Sequence, residues 1–238
     1  MLGPKEEVHK DPFDYSILIV CEDSKSAVYY FEEKVKACNI YNTIEVEEAI
    51  ENGHQITEGV IDVDGGSGSA PTSVVKYAIK KRNQYNAVAI KKGLFPYKEI
   101  YCVIDTDDHS DLNQALEIIE ADKATLAKED LSMAIVPIIS NECFELWYVL
   151  HFIEYSTKPL HRPIKELQHA NSERLDKIIE HYLGVDYVKG KGGILRRIQK
   201  AKGDEEKAIQ HAKKLLEFHI TDLGLEGDEQ AYYNNPST

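Results

Sequence analysis

The residues best equipped for chemistry are carboxylates placed just after short apolar runs. Asp105, Asp107 and Asp108 follow Tyr101-Cys102-Val103-Ile104, and Glu22 and Asp23 follow Ser16-Ile17-Leu18-Ile19-Val20-Cys21. In an extended chain residues two apart point the same way, so Asp105 and Asp107 can share one ligand sphere while Asp108 faces elsewhere. If the two strands lie side by side, Glu22 joins them. Crowded carboxylates of this kind suit a hard cation such as Mg²⁺ or Mn²⁺, which takes one or two carboxylates, several waters and a substrate phosphate. Zinc is a poorer fit, because no cysteine and histidine cluster accompanies the acids. The competing explanation is structural: aspartates also close turns after strands, and acids stabilise the start of a following helix.

Other candidates are weaker. His109 directly follows the acids and could contact phosphate or position a water. Glu145 is conspicuous as an acid on a largely apolar segment with Trp147 and Tyr148, although Glu142 and Glu145 could both be solvated. Asp64 ends another apolar run before Gly65-Gly66-Ser67-Gly68-Ser69, where a turn role competes with a place at the same edge; the glycines themselves either connect flexibly or approach phosphate with backbone N–H groups. The most basic stretch runs from Tyr187-Val188-Lys189-Gly190-Lys191-Gly192-Gly193 into Arg196, Arg197, Lys200 and Lys202. It reads as a surface for a phosphate backbone, or as a solvated helix face.

The elements that position these groups follow from periodicity. Strands are expected at about 16–21, 59–64, 100–104 and 133–137, and helices at 24–38 with Ser24 as cap, 72–84 and 112–128. Residues 39–57 carry both strand-like and helix-like signals and stay open. Alternating strands and helices imply a mostly parallel sheet, whose ligands gather outside the strands' carboxyl ends. From Thr157 the pattern turns to polar helices at about 160–170, 172–183, 191–201 and 203–220. The organisation is thus an α/β core over 14–155 and a mainly helical extension over 156–238.

Composition narrows the function classes. The chain has 238 residues, 42% hydrophobic and 29% charged, as expected of a globular protein with a sizeable core. A formal net charge of −13 argues against broad adhesion to nucleic acid, but leaves room for an acidic, metal-neutralised cleft beside a local basic strip. Cys21, Cys38, Cys102 and Cys143 show no C-x-x-C spacing, so neither a zinc ribbon nor a disulfide framework is expected. No apolar run approaches the roughly 20 residues of a membrane span, and the first residues lack a signal-peptide core, which points to a cytoplasmic protein without membrane partners.

Four separated segments carry a family resemblance: Val20-Cys21-Glu22, Asp105-Thr106-Asp107-Asp108-His109, the block from Ser140-Asn141-Glu142-Cys143-Phe144-Glu145-Leu146-Trp147 to His151-Phe152, and Asn235-Pro236-Ser237-Thr238. The chain resembles the RloB-like family, a branch of the TOPRIM-like nucleases. The resemblance implies a TOPRIM-like α/β core that binds Mg²⁺ or Mn²⁺ and supports phosphodiester cleavage of DNA or RNA, in antiviral defence and often beside an ATPase of the RloA type. By the same resemblance Glu22, Asp105 and Asp107 are the metal ligands, Glu145 is a further catalytic acid, and Lys189 matches a lysine that stabilises the transition state, with Lys191 as its substitute. His109, Lys189, Lys191, Arg196 and Arg197 are then the nucleic-acid contacts. The family pattern C-E-G-x-x-T-E stands here as Cys21-Glu22-Asp23-Ser24-Lys25-Ser26-Ala27, without the glycine and the second glutamate. That departure keeps a second expectation open: a catalytically weak or inactive subunit that binds nucleic acid, nucleotide or the ATPase. Phosphatase-like chemistry on a small substrate is a third.

Overall fold

The computed structural model describes residues 15–22, 25–38, 40–54, 58–105, 110–128, 133–140, 143–154 and 172–222, with the side chains of 172–174 and 218–222 left aside. Strands β1 (Ser16–Cys21), β2 (Ile61–Asp64), β3 (Tyr97–Asp105) and β4 (Ala134–Ser140) form one sheet in the order β2-β1-β3-β4. Every pairing is parallel. The expected α/β class is therefore present, and a four-stranded parallel sheet flanked by helices is consistent with a TOPRIM-like fold. Among the described residues no helix is long and apolar enough to cross a membrane.

Strand alternation separates two faces. Leu18, Val20, Ile100, Cys102 and Ile104 point to a core shared with Val74, Val75 and Ala78 of α3 (Pro71–Lys92) and with Leu112, Ala115 and Ile119 of α4 (Leu112–Lys128). Cys21 and Val103, with Ile19 and Ile138 beside them, point to the opposite core. There they meet α1 (Ser26–Ala37), α5 (Glu145–Leu150), α6 (Ser172–Leu183), α7 (Ile194–Lys200) and α8 (Glu205–Asp222). Burial on both sides is why the strands read as continuous apolar runs rather than alternating ones.

Several boundaries differ from the sequence expectation. Helix α1 begins at Ser26 with Lys25 as its N-cap and no side-chain cap hydrogen bond, and Ser24, the expected cap, lies outside the described residues. The open stretch resolves into α2 (Thr43–Glu51), started by a reciprocal capping box between Asn42 and Glu45. Helix α3 runs on to Lys92, where Gly93 at φ 68° supplies the left-handed residue that ends it. β4 continues through Pro137 to Ser140; as an edge strand it tolerates a residue without an N–H. The expected helix over 160–170 and the terminal Asn235-Pro236-Ser237-Thr238 lie outside the described residues.

The edge that matters is set by topology. The chain leaves β1 to one side for β2, then returns past it to β3 on the other side. In such a sheet the crevice opens beyond the carboxyl ends of the strands where direction reverses, here β1 and β3. Glu22 and Asp105 sit at those two ends.

Candidate metal centre

Register brings the two strand tips together: Cys21 pairs with Val103, and the Glu22 N–H donates to the Val103 carbonyl at 2.9 Å. The Asp105 N–H then donates to Glu22 Oε2 at 2.8 Å, so the carboxylate of one strand end is held by the backbone of the other. Asp105 is only 8% exposed. It continues the face of Val103, toward α5, and its charge reaches the Cys143 thiol. Asp107 and His109 lie outside the described residues, as do Asp23 and Asp108. Among the described residues no group of three or more His, Cys, Asp or Glu is arranged to hold a metal ion.

Glu145 is the most deeply placed of the candidate acids, at 2% exposure. Its Oε1 accepts from Ser26 Oγ at 2.6 Å and from Tyr187 Oη at 3.1 Å, and lies 3.4 Å from Lys189 Nζ. Tyr148 Oη donates to the Ser26 carbonyl at 2.7 Å, closing the network onto the start of α1. Oε2 is buried without a conventional hydrogen-bond partner among the described residues, and the Cys143 thiol lies beside the carboxylate. Burial alone would raise the Glu145 pKa, but the Lys189 charge, and then the Ser26 hydroxyl, outweigh it and hold the carboxyl below its usual range. Asp176 on α6 faces the same cluster; burial, then the Glu145 charge, pushes its carboxyl up.

The donor set is one of hard oxygen. Burial, followed by the charges of Glu145 and Asp105, pushes the Cys143 thiol far up, so it stays protonated and is a poor metal ligand. The carboxylates at the paired ends of β1 and β3 suit a cation that takes oxygen ligands. Glu22 and Asp105 would hold such an ion, with Asp107 completing the set expected from the sequence.

Residue by residue, the basic stretch divides. Lys189, Lys191 and Arg196 are exposed. Arg197 turns partly inward: its Nη2 donates to the Lys191 carbonyl at 3.0 Å and its Nε is buried, so it shapes the loop that carries the lysines. Glu33 of α1 accepts from the backbone amides of Gly193, Ile194 at 3.1 Å and Leu195 at 2.9 Å, capping α7 from a distant helix.

The model of the RloB-like protein family matches residues 17–238. The chain belongs to the RloB-like family. No curated protein and no solved structure matches it. In this RloB-like protein α5 supplies Glu145 and Tyr148 to one buried cluster, and the residue after it, His151, belongs to another. His151, 2% exposed, places Nδ1 2.8 Å from the Trp147 carbonyl and Nε2 3.5 Å from Tyr30 Oη. Nδ1 faces a carbonyl and therefore donates, and burial in particular pulls the ring's pKa down.

Two other acids prove to be structural. Asp64 Oδ1 accepts from the Gly66 N–H at 2.8 Å, and Oδ2 from Tyr77 Oη at 2.9 Å and from Lys81. The glycine loop is tied down by Ser67, whose Oγ donates to the Cys21 carbonyl at 3.0 Å. At the head of α3 the Asp111 carboxylate already accepts from the Thr72 N–H at 3.1 Å and Oγ1 at 2.7 Å. That helix start is filled by the protein's own anion.

Sequence reasoning missed Ser26, Tyr148, Tyr187 and Asp176 as neighbours of Glu145. Ser26 and Glu145 are 119 residues apart, and Tyr148 acts through the Ser26 carbonyl. Tyr187 had a local signal, since it stands two residues before Lys189 in the basic stretch.

Proposed function

We propose that this RloB-like protein is a divalent-metal-dependent nuclease, a hydrolase of nucleic-acid phosphodiesters that uses Mg²⁺ or Mn²⁺. The observation that supports it is the Asp105 N–H bonded to Glu22 Oε2 at 2.8 Å, which makes one site of two strand tips. Glu22, Asp105 and Asp107 hold the cation, which activates water and relieves charge on the leaving oxygen. Lys189 stabilises charge developing on the phosphate, and Glu145 orients that lysine from below through their 3.4 Å pair. Lys191, Arg196 and Arg197, with His109, serve the strand's phosphates; Arg197 does so by shaping the loop. The biological setting is antiviral defence in the cytoplasm, with an RloA-type ATPase as partner.

The test is incubation of plasmid DNA and of total RNA with Mg²⁺, Mn²⁺ or chelator, with and without such an ATPase. Cleavage should require the metal and disappear in Glu22→Gln, Asp105→Asn and Asp107→Asn. Cleavage that survives in all three variants, or that is indifferent to chelator, overturns the assignment.

A second reading has its own observation. Ala27 stands where the family pattern has a second glutamate, and it is 2% exposed inside the apolar core. A chain lacking that acid fits a catalytically weak or inactive subunit that binds nucleic acid, nucleotide or the ATPase. Tight, metal-stimulated binding without cleavage of either polymer would select it.

A further inference from the structure

The basic loop is fastened along the first turns of α1 at successive points. Tyr187 Oη lies 3.3 Å from Ser26 Oγ. A Cβ at Gly190 would meet the Lys25 stem, 3.0 Å from Cδ and 3.1 Å from Cγ. A Cβ at Gly192 would meet Tyr29 at 4.0 Å, and Glu33 holds the amides that follow. Glycine at 190 is favoured by its φ of 82°, and the aliphatic stem of Lys25 lies against it. The residues on either side of that seat are Lys189 and Lys191. Lys25 is exposed and its stem lies against Gly190, so lysines from two distant parts of the chain share one patch, and in sequence Lys25 follows Glu22 by three residues.

We propose that Lys25 is a substrate-binding residue, forming with Lys189 and Lys191 a clasp for successive phosphates of a nucleic-acid strand at the Glu22–Asp105 edge. The physical case is electrostatic. A chain of net charge −13 repels a polyanion at long range, so binding depends on a local concentration of cations. Lys189 faces Glu145 at 3.4 Å, Lys25 and Lys191 bring further positive charge to the same helix–loop junction, and a phosphate backbone binding there releases counterions. The aliphatic stem of Lys25, packed on Gly190, lowers the entropy lost when its ammonium engages a phosphate. This inference rests on the nuclease reading for its choice of ligand and not for its chemistry.

The experiment is fluorescence anisotropy of a labelled duplex DNA and a labelled single-stranded RNA over a salt series, in chelator, paired with a cleavage assay in Mg²⁺ and Mn²⁺. The full chain is compared with Lys25→Gln, Lys25→Arg and Lys92→Gln, the last an exposed lysine at the end of α3. Lys25→Gln should reduce the slope of log affinity against log salt by about one, on whichever polymer the parent binds. Lys25→Arg should restore the slope and Lys92→Gln should leave it alone. A parental slope in Lys25→Gln overturns the clasp even where the parent cleaves. The expected loss of slope with no cleavage by the parent, with or without the RloA-type ATPase, upholds the clasp and removes the nuclease reading. A parent that binds neither probe overturns the clasp outright.

Discussion

The two faces of the sheet are built on opposite principles. Against α3 and α4 the buried polar groups are matched: Asn86 bonds the Tyr97 backbone N–H and carbonyl, Tyr97 Oη donates to Asp62, and Arg82, 2% exposed, bonds the two oxygens of Asp122 through Nη1 and Nη2 at 2.6 and 2.8 Å. Against α1 and α5–α8 the core encloses two polar clusters, Glu145 with Ser26, Tyr148 and Tyr187, and His151 with Tyr30. The first face has every buried charge matched. The second keeps an orphaned carboxylate oxygen and a half-exposed lysine pair. Buried polar groups without full partners are costly, and among the described residues they lie on this face alone.

The comparison breaks most decisively at Arg82. Arg82→Ala should cost about 3–5 kcal/mol, because it leaves the Asp122 carboxylate nearly buried and unpaired. Urea denaturation measures the loss, and nucleic-acid binding by the folded fraction should be unchanged. A loss under about 1 kcal/mol would rank the pair with surface ion pairs and erase the contrast.

Glu145→Gln should behave the other way. It keeps the side chain's size while removing the charge that holds Lys189, so turnover should fall by roughly 10–100-fold, the range for groups that orient a metal or substrate ligand. Melting temperature should move much less than in Arg82→Ala. Lys189→Gln should raise the Glu145 pKa, since the lysine is the leading influence that lowers it. Equal losses of stability and turnover in Glu145→Gln would make Glu145 a plain core residue.

The smallest effect is a difference in acid sensitivity. His151 has a folded-state pKa below its ordinary 6.5, chiefly through burial. As pH falls past 6.5 the unfolded chain takes up a proton that the folded ring refuses, so stability declines from there downward. Glu145 adds a second, lower limb: its contribution is present above 4.5, the ordinary glutamate value, and is lost as pH falls through its depressed folded value. His151→Gln should flatten the upper limb of the melting temperature against pH and leave the lower one. An unchanged upper limb in that variant would assign it to another group.

How much was readable in advance depended on whether the signal was local. β1 and α4 were legible to the residue, since an unbroken apolar run and a clear helical repeat need only their own neighbours. Helix α2 was not, because its capping box sits between segments that also alternate like a strand. The extra length of β3 and β4 came from pairing, which extended both strands beyond their apolar centres to Asp105 and Ser140. At the site, Glu22 and Asp105 were visible as strand-tip acids. Glu145 was visible only as an acid out of place, and Lys25 as one lysine among many.

The sequence by itself determined the alternation of strand and helix, the acids at the strand ends and the family, since each is written in short contiguous segments. Tertiary structure alone decided that Glu22 meets Asp105 across 83 residues, that Ser26 and Tyr187 enclose Glu145, and that Lys25 lies on Gly190 between two lysines. The physical reason is that such contacts arise from the register of parallel strands and the seating of one helix on another. Neither leaves a periodic trace in the chain.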